Sequence, residues 1–348
     1  MASATISAMG CRKLGLFFLA IFAIAPSVLA QQQFANLGDF KLVSGETIRD
    51  CRIGYRTTGA LNADKSNAIL VTTWFGGTSE KIIASVGPGQ LPDSSKYFVV
   101  VIDAIGNGVS SSPSNSPLQA RMKFPQFTIR DMVNSQHEVL TKFLHISHLK
   151  AVMGGSMGGM QTFQWIVSYP DFMDKAIPIV GSPRLAAYDL MHWHAENDAI
   201  MRDAAWKGGD YTENPGLVQL AEFGALFATT PPYYNKKTSR EDVQQALDKA
   251  AAGPAMDAND HIRTAQALIA LDVSDAFDGS LDKAAAVVKA NVLVVVSRQD
   301  LTVTAGPALD FAKRIHAEVL ELNADCGHQL MECQGDKVTR AATAFLAK

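Results

Sequence analysis

The stretch that most limits the fold is Ala151–Gln161, AVMGGSMGGMQ, with a G-x-S-x-G match at Gly154-Gly155-Ser156-Met157-Gly158. A short, mostly apolar run, Leu149 to Met153, precedes it. Met160, Phe163 and Val167 follow at helical spacing. The order is strand, tight turn, helix. A serine on such a turn takes a strained backbone conformation, and Gly154 and Gly158 let strand and helix approach without a Cβ clash. Ser156 Oγ then projects from the sheet at a helix end whose first N–H groups are free. The Met157 N–H is the natural donor to an oxyanion there. Taken alone, G-x-S-x-G also fits a glycine-rich corner with no chemistry.

Two later stretches decide between these readings. Ala290–Val296 is a nearly continuous apolar run of the kind buried in parallel sheets, and it leads into Ser297-Arg298-Gln299-Asp300. Glu318–Leu322 reads as the last strand, and Cys326-Gly327-His328 follows it. Of eight histidines, His328 alone lies after Ser156 and Asp300 and just past a strand; His316 is expected in the preceding helix. Serine, acid and histidine, in that order and each after a strand, match the α/β-hydrolase arrangement. Asp325, in the same loop as His328, is an alternative acid. Phe40–Leu42, Cys51–Tyr55, Ile69–Thr72, Phe98–Asp103 and Ala176–Val180 read as further strands. Thr128–Leu144 reads as a helix capped by Thr128, with Asp131 three residues on. The loop after Ile69–Thr72, Thr73-Trp74-Phe75-Gly76-Gly77-Thr78, is where such a fold takes its second oxyanion N–H, and Phe75 is the candidate. The fold class expected is α/β: a mostly parallel central sheet flanked by helices, with an inserted helical lid.

The chain resembles the homoserine O-acetyltransferases of the α/β-hydrolase superfamily. The resemblance rests on Val86-Gly87-Pro88-Gly89, on Phe124-Pro125 followed by Thr128-Ile129-Arg130-Asp131-Met132-Val133, and on Gly154 through Gln161. Trp206-Lys207-Gly208-Gly209-Asp210-Tyr211 and Asp257-Ala258-Asn259-Asp260 extend it. It implies a Ser156–His328–Asp300 triad, a helical lid, acyl transfer through a covalent acyl-serine, and a homodimer formed through the lid. The chain departs from the pattern at two places. An Asp commonly follows the catalytic His in that family and holds the substrate amine; here Gln329 stands there. Where the family's lid offers an Arg to the substrate carboxylate, this chain has Glu222. A neutral amide and a negative charge both oppose homoserine binding. The expected activity is therefore hydrolysis of a small-molecule carboxylic ester, with no cofactor. A CoA-dependent O-acyltransferase and a non-catalytic binding module on the same fold are the alternatives.

Arg12 and Lys13 precede the apolar run Leu14–Leu29, which ends in Val28-Leu29-Ala30. This is the pattern of a secretory signal over 1–30, cut after Ala30, and it implies a periplasmic or secreted protein. Pro26 and the small-residue exit argue against an N-terminal anchor, so no stable membrane span is expected after cleavage. Losing two positive charges takes the formal net charge from −3 to −5, which gives no reason to expect a nucleic-acid partner. The core is expected over 31–181 and 284–348, with the lid over 182–283. His192 and His194 form an H-x-H with no third ligand nearby, so they read as lid packing and surface rather than a metal site. Cys51, Cys326 and Cys333 remain after cleavage. Export permits a disulfide, and Cys326 and Cys333, seven positions apart around His328, are the expected pair. Two unpaired thiols are the alternative, and Cys51 stays open.

Overall fold

The computed structural model describes Met1 and residues 30–215, 217–252 and 256–348. All but the two ends of the signal expected over 1–30 lie outside the described residues. The chain runs β1 (Gln33–Lys41), β2 (Thr47–Thr58), β3 (Ala68–Thr72), α1 (Ser79–Ile83), β4 (Phe98–Ile102), α2 (Ile129–Glu138), β5 (Leu149–Gly155), α3 (Met157–Ser168) and β6 (Met173–Ile179). Then come α4 (Ala187–Arg202), α5 (Leu217–Phe227), α6 (Pro231–Lys237), α7 (Val243–Ala251) and α8 (Ala258–Ile269). The chain closes with α9 (Leu281–Ala286), β7 (Asn291–Ser297), α10 (Ala305–Arg314), β8 (Glu318–Leu322) and α11 (Leu330–Ala347).

One eight-stranded sheet has the order β1-β2-β4-β3-β5-β6-β7-β8. β1 and β2 pair antiparallel, as do β2 and β4; from β4 onward every neighbour is parallel. The parallel strands carry Ile69-Leu70-Val71, Val99-Val100-Val101 and Val292 to Val296, buried on both faces. Continuous apolar strands of this kind need helices on each side. One face packs on a cluster holding Phe163, Trp165, Met132 and Phe311, the other on one holding Leu330, Val338, Ala342 and Phe345.

Local signals set the helix ends. Thr128 Oγ1 accepts the Asp131 N–H while Asp131 Oδ2 accepts the Thr128 N–H, a reciprocal capping box. α2 stops at Glu138, short of the end expected at Leu144, and a wider π turn, Val139–Phe143, carries the chain on. His316 is also displaced from its expected place: α10 ends at Arg314, and His316 sits beyond it at φ 53°. Between β6 and β7 the chain leaves the sheet for the helices α4 to α8, and residues of α4, α5 and α8 touch loops that follow the carboxyl ends of strands. Among the described residues no helix is long and apolar enough to cross a membrane.

Candidate active site

The turn between β5 and α3 places Ser156. It has φ 58° and ψ −123°, a conformation that costs a non-glycine residue about 1–3 kcal/mol. The Ser156 N–H donates to the Ile179 carbonyl at 2.9 Å, which ties the turn to β6. A Cβ on Gly158 would lie 2.6 Å from the Thr72 carbonyl oxygen, and one on Gly154 would overlap Thr72 Oγ1. Strand and helix meet too closely for either position to carry a side chain, which is why glycines flank the serine.

Three strand ends converge on that turn. His328 Nε2 lies 2.8 Å from Ser156 Oγ, and His328 Nδ1 lies 2.7 Å from Asp300 Oδ2. Asp300, 4% exposed, turns its other oxygen to the Thr302 and Val303 N–H groups at 2.8 and 2.9 Å. An ionised carboxylate only accepts, so Nδ1 must carry the ring proton and Nε2 is left to accept from the serine hydroxyl. Asp325 is exposed, and its carbonyl is occupied by the Thr230 N–H and hydroxyl. Asp300, not Asp325, is the acid at the histidine. Cys326 and Cys333 are joined in a disulfide, with Cα atoms 6.3 Å apart, that brackets His328. Cys51 is a free, buried thiol.

Among the described residues no backbone carbonyl accepts the N–H of Met157 or of Phe75. The Phe75 loop is held from below. Gln161 Nε2 donates to the Thr73 carbonyl at 2.8 Å, and Asn107 Nδ2 to the Gly77 carbonyl at 3.0 Å. Fully buried Asp103 accepts the Ser79 N–H and hydroxyl, both at 2.6 Å.

The lid closes over this floor. The Ala228 carbonyl, just past α5, accepts the His328 N–H at 3.0 Å, and the Phe227 carbonyl accepts Thr302 Oγ1 at 2.9 Å. His192 is buried and His194 exposed. His192 Nε2 lies 2.9 Å from Glu196 Oε1, and His261 Nε2 lies 3.1 Å from Glu196 Oε2. The first is a hydrogen bond; the second falls outside hydrogen-bond geometry. Burial pushes the Glu196 carboxyl up, but the two histidines outweigh it and bring it down to about 2. Sequence reasoning missed this cluster. His192 and Glu196 stand four apart on α4, a spacing that could have signalled the first pair; nothing local signals His261. Among the described residues no group of three or more His, Cys, Asp or Glu side chains is arranged to hold a metal ion. Glu222 and Gln329 are both exposed, Gln329 at the start of α11.

Sheet order, the Ser156 turn and the strand-end seats of Asp300 and His328 define the class: this is an α/β hydrolase. The alpha/beta hydrolase fold family model matches residues 69–332. The ethyl acetate hydrolase of Pseudomonas veronii is 35% identical over 310 residues, which cover 85% of this chain and 88% of that protein. A homoserine O-acetyltransferase of Pelobacter propionicus is 33% identical over 284 residues, 71% of this chain and 76% of its own. The solved structure of an acetylester hydrolase from Corynebacterium glutamicum superposes with a TM-score of 0.86 at 29% identity, covering 91% of this chain and 96% of that one. The chain belongs to the α/β-hydrolase family, in its homoserine O-acetyltransferase-like group, and is an enzyme of the esterase or O-acyltransferase kind.

Proposed function

We propose that this protein is an exported carboxylic-ester hydrolase in which Ser156 is the nucleophile, His328 the base and Asp300 the residue that orients it. The observation that carries the proposal is the run of contacts from Ser156 Oγ through the His328 ring to buried Asp300. His328 Nε2 takes the Oγ proton as Oγ bonds to the ester carbonyl carbon. The oxyanion forms against the Met157 and Phe75 N–H groups, where losing one donor costs about 3 kcal/mol of barrier. The alkoxy C–O bond then breaks, and the proton on Nε2 passes to the leaving alcohol. Water enters, gives its proton to Nε2, and its oxygen bonds to the acyl carbon. Collapse of that intermediate frees the carboxylic acid and returns the proton to Ser156. Asp300 stabilises the imidazolium in both halves.

Water as the acceptor is supported by the hydrolases of ethyl acetate and acetyl esters among the relatives. Gln329, beside His328, cannot neutralise a substrate amine. Glu222 is exposed and its charge is screened, so Gln329 carries more of that argument. Short acyl esters, acetates first, are the proposed substrates. The leader at 1–30 and the Cys326–Cys333 bond support export to an oxidising compartment. Tyr188, Met191 and Leu226 on the lid helices α4 and α5 are 49%, 73% and 67% exposed, and we propose that they form a homodimer contact. Light scattering on a Met191→Glu variant should read a monomer where the wild type reads a dimer.

The deciding assay is a panel of acyl esters of rising chain length, run beside acetyl-CoA with homoserine. Fast acetate hydrolysis without CoA, abolished in Ser156→Ala together with fluorophosphonate labelling, is the expected result. Robust O-acetylhomoserine formation would move the reading to acyl transfer, and labelling of Ser156→Ala equal to wild type would remove the nucleophile assignment.

A further inference from the structure

The buried group His192–Glu196–His261 takes no part in the chemistry above, yet it sits between the two halves of the site. On one side it meets the Phe75 loop. The core anchors that loop at Thr73, Gly77 and Ser79, on either side of Phe75. The aromatic neighbours of Phe75 itself both come from the lid: Trp193 with ring centroids 4.8 Å apart, and His261, edge-on, also at 4.8 Å. Trp193 follows His192 on α4, and His261 lies on α8. On the other side, the His192 ring stacks on Phe227 at 4.1 Å. Phe227 and Ala228 are the residues whose carbonyls seat Thr302, beside Asp300, and His328.

A carboxylate buried to 7% exposure is stable only if opposite charge or donors compensate it, and here both compensating rings come from lid helices. Glu196 therefore clamps α4 to α8 at the point where the lid meets Phe75. We propose that Glu196 is a positioning residue for acyl transfer: it grips His192 and His261, presses the lid's aromatic wall against Phe75, and so holds the Phe75 N–H where the oxyanion forms. The inference rests on the Ser156 mechanism above. It adds that the oxyanion site is completed by the lid and is not a property of the sheet alone. Position errors of an ångström or less weaken such donors selectively in the transition state, because the ground-state ester carries little charge on its carbonyl oxygen.

The test uses the full chain with Glu196→Gln, which keeps the shape and removes the charge. Three quantities are read: kcat and KM on a short acetate ester, the affinity for a trifluoromethyl ketone, and the melting temperature. The ketone adds to the serine and forms a tetrahedral oxyanion. The expected result is a kcat lowered by about 10–100-fold, KM nearly unchanged, and ketone affinity lowered by about the same factor as kcat. A role confined to stability would lower the melting temperature and leave both other readouts intact in the folded fraction. That result overturns the proposal, as does a kcat loss with ketone affinity unchanged. If Glu196→Gln does not fold, His261→Phe serves: it keeps a ring on Phe75 and removes one grip on Glu196. A matched, smaller loss of kcat and ketone affinity supports the proposal, and no loss in either overturns it. Failure of the underlying mechanism shows separately, as activity and ketone binding retained in Ser156→Ala.

Discussion

Asp300→Asn isolates the orienting role, because the structure dictates how an amide must sit there. Asp300 Oδ1 accepts two backbone N–H groups and Oδ2 accepts His328 Nδ1–H. An asparagine has one oxygen and one NH2. Turning the NH2 toward Thr302 and Val303 would set donor against donor at two buried bonds, about 1 kcal/mol each or more. The amide will instead keep its oxygen on the backbone and point NH2 at Nδ1. Nδ1 must then accept, so the ring proton moves to Nε2, and Nε2 can no longer take the Ser156 proton. The expected loss is about four orders of magnitude in kcat, equal to about 5 kcal/mol of barrier. The fold keeps its hydrogen bonds and loses only the charge assistance of one, a shift of a few degrees or less in melting temperature. Steady-state hydrolysis of an acetate ester beside a thermal melt measures both. Activity within tenfold of wild type in a folded Asp300→Asn would refute the reasoning, and a large loss in Asp325→Asn would transfer the role.

Gly158→Ala would set a Cβ 2.6 Å from the Thr72 carbonyl and drive α3 off β3. A stability loss of about 1–3 kcal/mol, with activity falling further than stability explains, is expected from denaturant titration and kinetics. Burial pushes the Asp260 carboxyl up to about 7, against the two hydrogen bonds from Ser114. The folded chain therefore keeps a proton that the unfolded chain releases near its ordinary value of 3.8, so this residue's contribution is present in acid and lost as pH rises to about 7. The stability of wild type minus that of Asp260→Asn should fall by up to about 4 kcal/mol across that window; a flat difference would count against it. Cys326 and Cys333 close a loop of seven positions. Reduction should cost about 2–3 kcal/mol and lower activity before global unfolding, read by kinetics and melts with and without dithiothreitol. A non-reduced digest should yield the linked peptide.

Much of this molecule was legible because its information is local. The Ser156 elbow needs glycines at 154 and 158 because strand and helix touch there, and that requirement is written in five consecutive residues. The parallel strands announce themselves as unbroken apolar runs, since both their faces are covered. Asp300 and His328 could be found because strand ends are where such folds collect polar side chains. The ends of α2 and α10 were less legible, because a π turn and a left-handed residue depend on the packing that follows them. What only the tertiary structure decided is convergence. Asp300 and Asp325 are both acids near a strand end; one is buried against His328 and the other is exposed, and no local pattern separates them. The disulfide required the loop after β8 to turn back onto α11. Glu196 is four residues from one histidine and far along the chain from the other. Their meeting over Phe75 depends on how two lid helices cross, which is set by contacts distant in sequence.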